Sequence, residues 1–260
     1  MRARLPLAVI ALAALGAAFV VLPVVALFVR APWGQIRESL SGVGASTALR
    51  LSMEVSLAAT AISLVVGVPL AWVLARGGFP GRNVLRALVV LPIVLPPVVG
   101  GIGLLAALGR SGVIGRWLSD AFGVQLTFST AGAVIATTFV SMPLVVLATE
   151  SGLRGLDGRY ERAAAALGGS AWYVFRRVTL PMVAPQVAAG AVLTWARALG
   201  EFGATITFAG NLAGRTQTMP LAVYQARQVD PGGAIVLSLI LVVVSAAVLI
   251  VVGGRLTGLR

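Results

Sequence analysis

Residues 157–181 read DGRYERAAAALGGSAWYVFRRVTLP, the longest polar, helix-like interruption in a chain that otherwise reads as membrane. Asp157 is placed to cap a short helix, on which Tyr160, Ala163, Ala164 and Leu167 share a face at i, i+3, i+4 and i+7. Gly168 and Gly169 end it, since glycine takes the left-handed conformation at little cost. Ser170 is placed to cap a second short helix carrying Trp172, Phe175, Arg176 and Arg177, which Pro181 then closes. The segment therefore predicts a compact helix–Gly–helix outside the bilayer. Its alanine ridge, Ala163–Ala166, lets another surface approach closely. It has the build of a docking peg.

The same residues carry a resemblance. Glu161, Ala163, Ala164, Gly168, Val178, Leu180 and Pro181 fit the E-x-A-A-x-x-x-G-x9-[IV]-x-L-P spacing of the "EAA" loop. That loop is typical of the inner-membrane permease subunits of binding-protein-dependent ABC importers. One departure is Arg162, which stands between Glu161 and Ala163 where many members have E-A-A directly. An ordinary loop with an Ala-rich helix is the plainer alternative, and seven positions at fixed spacing weigh against it. The resemblance implies a coupling helix seated in a groove of a cytoplasmic ATPase. Glu161, Ala163, Ala164, Leu167, Gly168 and Pro181 are then the candidate ATPase-coupling residues, with Glu161 expected to meet a donor on the ATPase.

Composition narrows the classes. The 260 residues are 58% hydrophobic and 11% charged, with a mean hydropathy of +0.99. Those values exclude a soluble domain. There is no cysteine or histidine, so disulfides, thiolate chemistry and ordinary zinc sites are excluded. All 20 basic residues are arginine. Without a lysine there is no Walker A loop, so ATP would be bound by a partner polypeptide and no cofactor is expected here. The net charge of +12 is scattered between apolar stretches rather than gathered in a stripe, which speaks for membrane orientation and against nucleic acid.

Charge-free stretches predict an all-α protein of six transmembrane helices in a single permease domain over 1–260. The spans are about 5–29, 52–75, 87–108, 130–149, 182–203 and 233–253, with a coupling loop at 150–181. The first run exceeds a signal-peptide core and reads as a retained helix. Residues 109–129 read as a loop with a short interfacial helix, and 204–232 as a polar, glycine-bearing loop. The third span holds LPIVLPPVVGG, residues 91–101. Pro92, Pro96 and Pro97 require a kink or break near mid-membrane, either lining a cavity or serving as a hinge without pathway contact. No internal repeat is visible, inverted or otherwise.

Six spans put both termini on one side. That side carries Arg2, Arg4, Arg76, Arg82, Arg86, Arg154, Arg159, Arg162, Arg176, Arg177, Arg255 and Arg260. The opposite side carries Arg30, Arg37, Arg50, Arg110, Arg116, Arg215 and Arg227. The positive-inside rule then makes the termini and residues 157–181 cytoplasmic. An ATPase could reach the peg.

The fifth span carries the embedded charges Arg197 and Glu201, four apart and so on one helix face. Such groups are candidates for a pathway or gate. An ion pair that fixes helix packing explains them equally well. Gly200 and Gly203 allow close helix approach, and Thr205 and Thr207 add hydroxyls that suit weak, transient contact with an oxyanion. With Pro96 and Pro97, these complete the candidate pathway: Arg197, Glu201, Thr205 and Thr207.

GEFGATITFAGNLAGRTQTMPLAVY, residues 200–224, together with the proline-rich stretch and LGRSG at 108–112, resembles the molybdate-type permeases. The resemblance extends from about residue 48 to 253. Sulfate permeases look similar but usually vary the residues after E-[FY]-G-A. The resemblance implies a homodimer in a bacterial inner membrane, two cytoplasmic ABC ATPases and a periplasmic oxyanion-binding protein. The cargo it implies is molybdate or tungstate, with sulfate or thiosulfate as the alternative. An ion-coupled secondary transporter would place several carboxylates in the membrane, where only Glu201 is well embedded. A membrane enzyme would need an acid–base or metal set that the spans lack.

Overall fold

The two consecutive prolines decide the shape of the third span. In the computed structural model, which describes residues 6–36 and 44–257, Leu95 and Pro96 are both extended, with ψ of 135° and 130°. Each precedes a proline, whose ring disfavours the helical conformation of the residue before it. The span therefore breaks into α3 (Arg82–Val94) and α4 (Pro97–Leu108), bent by 120°. At 13 and 12 residues, each half is about 20 Å long or less, too short to cross a ~30 Å core alone.

Among the described residues, five other helices are long and apolar enough to cross: α1 (Leu7–Arg30), α2 (Ala45–Arg76), α6 (Thr130–Gly155), α8 (Ala171–Leu199) and α11 (Pro231–Thr257). Between them lie α5 (Gly115–Phe122), α7 (Arg159–Ala166), α9 (Gly203–Phe208) and α10 (Met219–Val229). No strand occurs among the described residues. The short interfacial helix expected in 109–129 is α5, which exposes Trp117 and Phe122.

The body is α2, α6 and α8 packed at close range, because small residues stand at the crossings. A Cβ on Gly67 would come within 3.0 Å of Val145, and one on Gly190 within 2.9 Å of Ala148. In lipid, where apolar surface offers no net drive, such close van der Waals contact is what joins helices. Hydroxyls buried between them bond back one turn: Thr60 donates to Ser56 O and Ser141 to Thr137 O, each at 2.7 Å. The core continues along α2. One end packs with α10 and α11 through Ala48, Met219, Ala222 and Leu237, the other with α6 and α8 through Leu74, Val146, Leu153 and Val183. By contrast, α1 buries no residue.

Three expectations about boundaries change. Residues 150–155, assigned to the coupling loop, are the last turns of α6. Residues 204–232 are not an open loop: they contain α9 and α10, whose Phe208, Met219 and Leu221 are fully buried. Pro220 in the first turn of α10 was the available start signal. Pro181 does not close the docking segment, because α8 runs through it from Ala171 to Leu199. A π turn at Phe175–Thr179, with Leu180 N–H bonded to Phe175 O, absorbs the missing donor and the ring. Arg2, Arg4, Arg37 and Arg260 lie outside the described residues, as do the first residue of span 1 and Gly42.

Candidate coupling site and membrane break

The docking segment forms as its residues dictate. Asp157 Oδ1 accepts from Arg159 N–H at 2.9 Å at the start of α7. At the other end, Gly168 has φ of +87°. Gly169 N–H bonds to Ala164 O and Gly168 N–H to Ala165 O, both at 3.0 Å. That pair of bonds closes the helix on a left-handed glycine. Ser170 Oγ then accepts from Tyr173 N–H at 3.2 Å and starts α8. Tyr160, Ala163 and Leu167 face outward, Leu167 at 90% exposure. They leave an exposed apolar tip on a short helix.

Glu161 faces the other way. Its Oε2 lies 3.1 Å from Arg76 Nε at the end of α2, and its Oε1 accepts from Thr179 Oγ1 at 2.9 Å in the π turn. Arg76 also reaches Leu156 O at 3.5 Å. The Glu161 carboxylate is engaged within the chain and fixes how α7 sits. Ala164 is half-buried beside it, while Ala163, Leu167 and Gly168 are exposed.

A second carboxylate, missed in the sequence, lies one helix away. Glu150 is buried in α6 and holds Arg154 at 2.6 Å and Arg86 of α3 at 3.0 Å. The Glu150–Arg154 spacing of four was legible as a helix pair. Arg86, 64 residues distant, was not.

At the membrane break the candidates separate. Pro97 stands over Gly203, where an added Cβ would meet Pro97 Cβ at 2.8 Å. A Cβ on Gly101 would meet Thr207 Cβ at 2.6 Å. So Pro97 and Thr207 belong to one tight α4–α9 crossing, whereas Pro96 is exposed beside it. Arg197 Nη1 and Glu201 Oε2 form an ion pair at 2.6 Å, and Glu201 Oε1 accepts from Ala204 N–H at 2.7 Å. Glu201 thus caps α9 as well as neutralising Arg197, a role the spacing did not reveal. The hydroxyls are not free donors: Thr207 donates to Gly203 O at 2.7 Å, and fully buried Thr205 lies 3.5 Å from Thr137 Oγ1.

The chain is similar to known proteins in sequence and in fold. The sequence model of the family "Binding-protein-dependent transport system inner membrane component" matches residues 67–255. The "Molybdenum transport system permease protein ModB" of Mycobacterium bovis is 49% identical over 242 residues, covering 92% of this chain and 90% of that one. The "Sulfate transport system permease protein CysW" of a Synechocystis species is 36% identical over 230 residues, covering 85% and 83%. Among solved structures, a bacterial ABC transporter involved in import of the acidic polysaccharide alginate superimposes with a TM-score of 0.63. It is 16% identical and the match covers 80% of this chain and 78% of that chain, a likeness of fold alone.

Proposed function

The chain belongs to the family of binding-protein-dependent transport system inner membrane components, and we propose that it is the permease of an ATP-driven importer whose cargo is molybdate. The observation that carries the cargo is the 49% identity to a molybdenum permease along nearly the whole chain, against 36% to a sulfate permease. What supports the coupling role is the geometry of α7, a capped helix with an exposed apolar tip and a carboxylate that anchors it from behind.

In this reading two copies of the chain form the pore, two ABC ATPases dock on the α7 helices, and a periplasmic oxyanion-binding protein delivers the anion. The termini and α7 face the cytoplasm, in keeping with the excess of arginine on that side. ATP stays on the partner, since the chain has no lysine to hold its phosphates. Closure of the ATPases would press α7 and switch the permease between outward and inward openings. Affinity resides in the capture protein, because a pore that bound a dianion tightly would trap it.

The test is reconstitution with the ATPase and a capture protein in liposomes, with hydrolysis and uptake measured together. Molybdate and tungstate, nearly equal in size and charge, should both stimulate hydrolysis and accumulate, and sulfate should not. Equal stimulation by sulfate would keep the importer and move the cargo. An ATPase that fails to associate would remove the coupling role.

A further inference from the structure

Glu150 lies in the last turns of α6 with 1% of its surface exposed, yet two arginines converge on it. Arg154, one turn along the same helix, would by itself neutralise the buried charge. Arg86 adds something different. It donates from Nε to Oε2 at 3.0 Å and joins elements 64 residues apart.

The element it brings in is loosely held. Pro92 is the one buried residue of α3, and Leu85 and Val89 are half-buried against Leu74, Val146 and Leu153. This helix runs straight into the extended pair Leu95–Pro96, beyond which α4 is seated on α9 at Gly203 and Gly101. On its other side Glu150 stands five residues before the end of α6, which leads through residues 156–158 into α7. Beside the route through Glu161, Arg76 and residues 77–81, a direct path from the docking helix to the broken span therefore passes through this carboxylate.

We infer that the Glu150–Arg86 pair is a tether through which movement of α7 reaches the broken third span. Glu150 and Arg86 are then positioning residues for transport that touch no cargo. The inference rests on the importer reading above and deepens it. A charged hydrogen bond between rigid helices suits this task, because it resists both separation and sliding, whereas an apolar contact resists sliding poorly.

The test uses the permease assembled with its ATPase and capture protein in liposomes, with molybdate uptake and ATP hydrolysis measured together. Arg86→Leu is the first variant, because Glu150 keeps Arg154 and the Arg86 side chain is 44% exposed. Hydrolysis should continue, while uptake per ATP falls about tenfold, a coupling change of the size single network residues carry. Arg86→Lys, which keeps the charge, should restore most of it, and Glu150→Gln should resemble Arg86→Leu.

A second readout separates tether from scaffold. The chain has no cysteine, so spin labels can be placed through Val84→Cys on α3 and Val65→Cys on α2, both exposed positions. The distance between them should change on nucleotide trapping in the parent and stay fixed in Arg86→Leu. Unchanged uptake per ATP together with an unchanged distance response in Arg86→Leu would overturn the tether. A parent complex that hydrolyses ATP yet accumulates no oxyanion would overturn the importer reading, and the tether with it.

Discussion

Arg76, the last residue of α2, and Glu161, in the first turn of α7, meet at 3.1 Å with side chains 29% and 20% exposed. The contact makes α7 an extension of the membrane body rather than a loop hung from it. Thr179 secures the same carboxylate from the π turn of α8, so two elements fix one side chain of a third.

Glu161→Ala should therefore loosen α7 without unfolding the permease. It removes a part-buried ion pair and a charged hydrogen bond, together about 1–2 kcal/mol of local stability. Amide hydrogen exchange of residues 159–166 should accelerate roughly tenfold, with α2 and α6 unchanged. Uptake per ATP should fall in parallel. Exchange at the parent rate would show that the pair does not hold the helix.

Gly168 poses a different requirement. At φ of +87° an added Cβ meets nothing within 4 Å, so the penalty at that atom is conformational and not steric crowding. Gly168→Val, β-branched in a left-handed position, should cost about 2 kcal/mol and abolish ATP-driven uptake with the permease still folded. Gly168→Asn, which tolerates that conformation, should keep most activity. Equal uptake in the two variants would mean the loop's closing turn is dispensable.

Much of this was readable because the determinants are local. Gly168, Ser170 and the alanine ridge act within a few residues, as do Pro96 and Pro97, so the helix–Gly–helix of 157–181 and the break were both visible in the sequence. The six hydrophobic stretches were visible for the same reason. What stayed hidden depends on distant partners. Arg76 and Arg86 read as orientation charges because Glu161 and Glu150 lie 85 and 64 residues away. The polarity of 204–232 suggested an open loop, but α10 is amphipathic and buries Met219, Ala222 and Ala226 against α2 and α11. Pro181 looked like a stop because a π turn cannot be read from one sequence.

The α4–α9 crossing should be sensitive to single methyl groups. Gly101→Ala places a Cβ 2.6 Å from Thr207 Cβ and 3.1 Å from Ala204 O. With backbone as one neighbour the helices must separate, at about 1–3 kcal/mol. Purified Gly101→Ala should melt at lower temperature in detergent, and Thr207→Gly in the same chain should recover part of the loss. A single variant that melts like the parent would show that the crossing has slack.

The Arg197–Glu201 pair separates the two readings left open by its spacing. Glu201 is 2% exposed and engaged on both oxygens, one on Arg197 and one on Ala204 N–H, whereas the Arg197 side chain is 34% exposed. A structural latch requires that loss of either partner lower stability. Arg197→Met leaves a buried carboxylate with one donor, at about 2 kcal/mol, below the usual cost for a fully buried pair because Arg197 is partly solvated. Glu201→Gln should cost less, since its amide oxygen can still accept from Ala204 N–H. In both, the melting temperature should fall while the ranking of molybdate, tungstate and sulfate in uptake stays as in the parent. A pathway role makes the opposite demand: Arg197→Met would melt like the parent and alter the ranking. The burial of Glu201 favours the latch, because an arginine that left it to meet an anion would strand a buried carboxylate with a single donor at each passage.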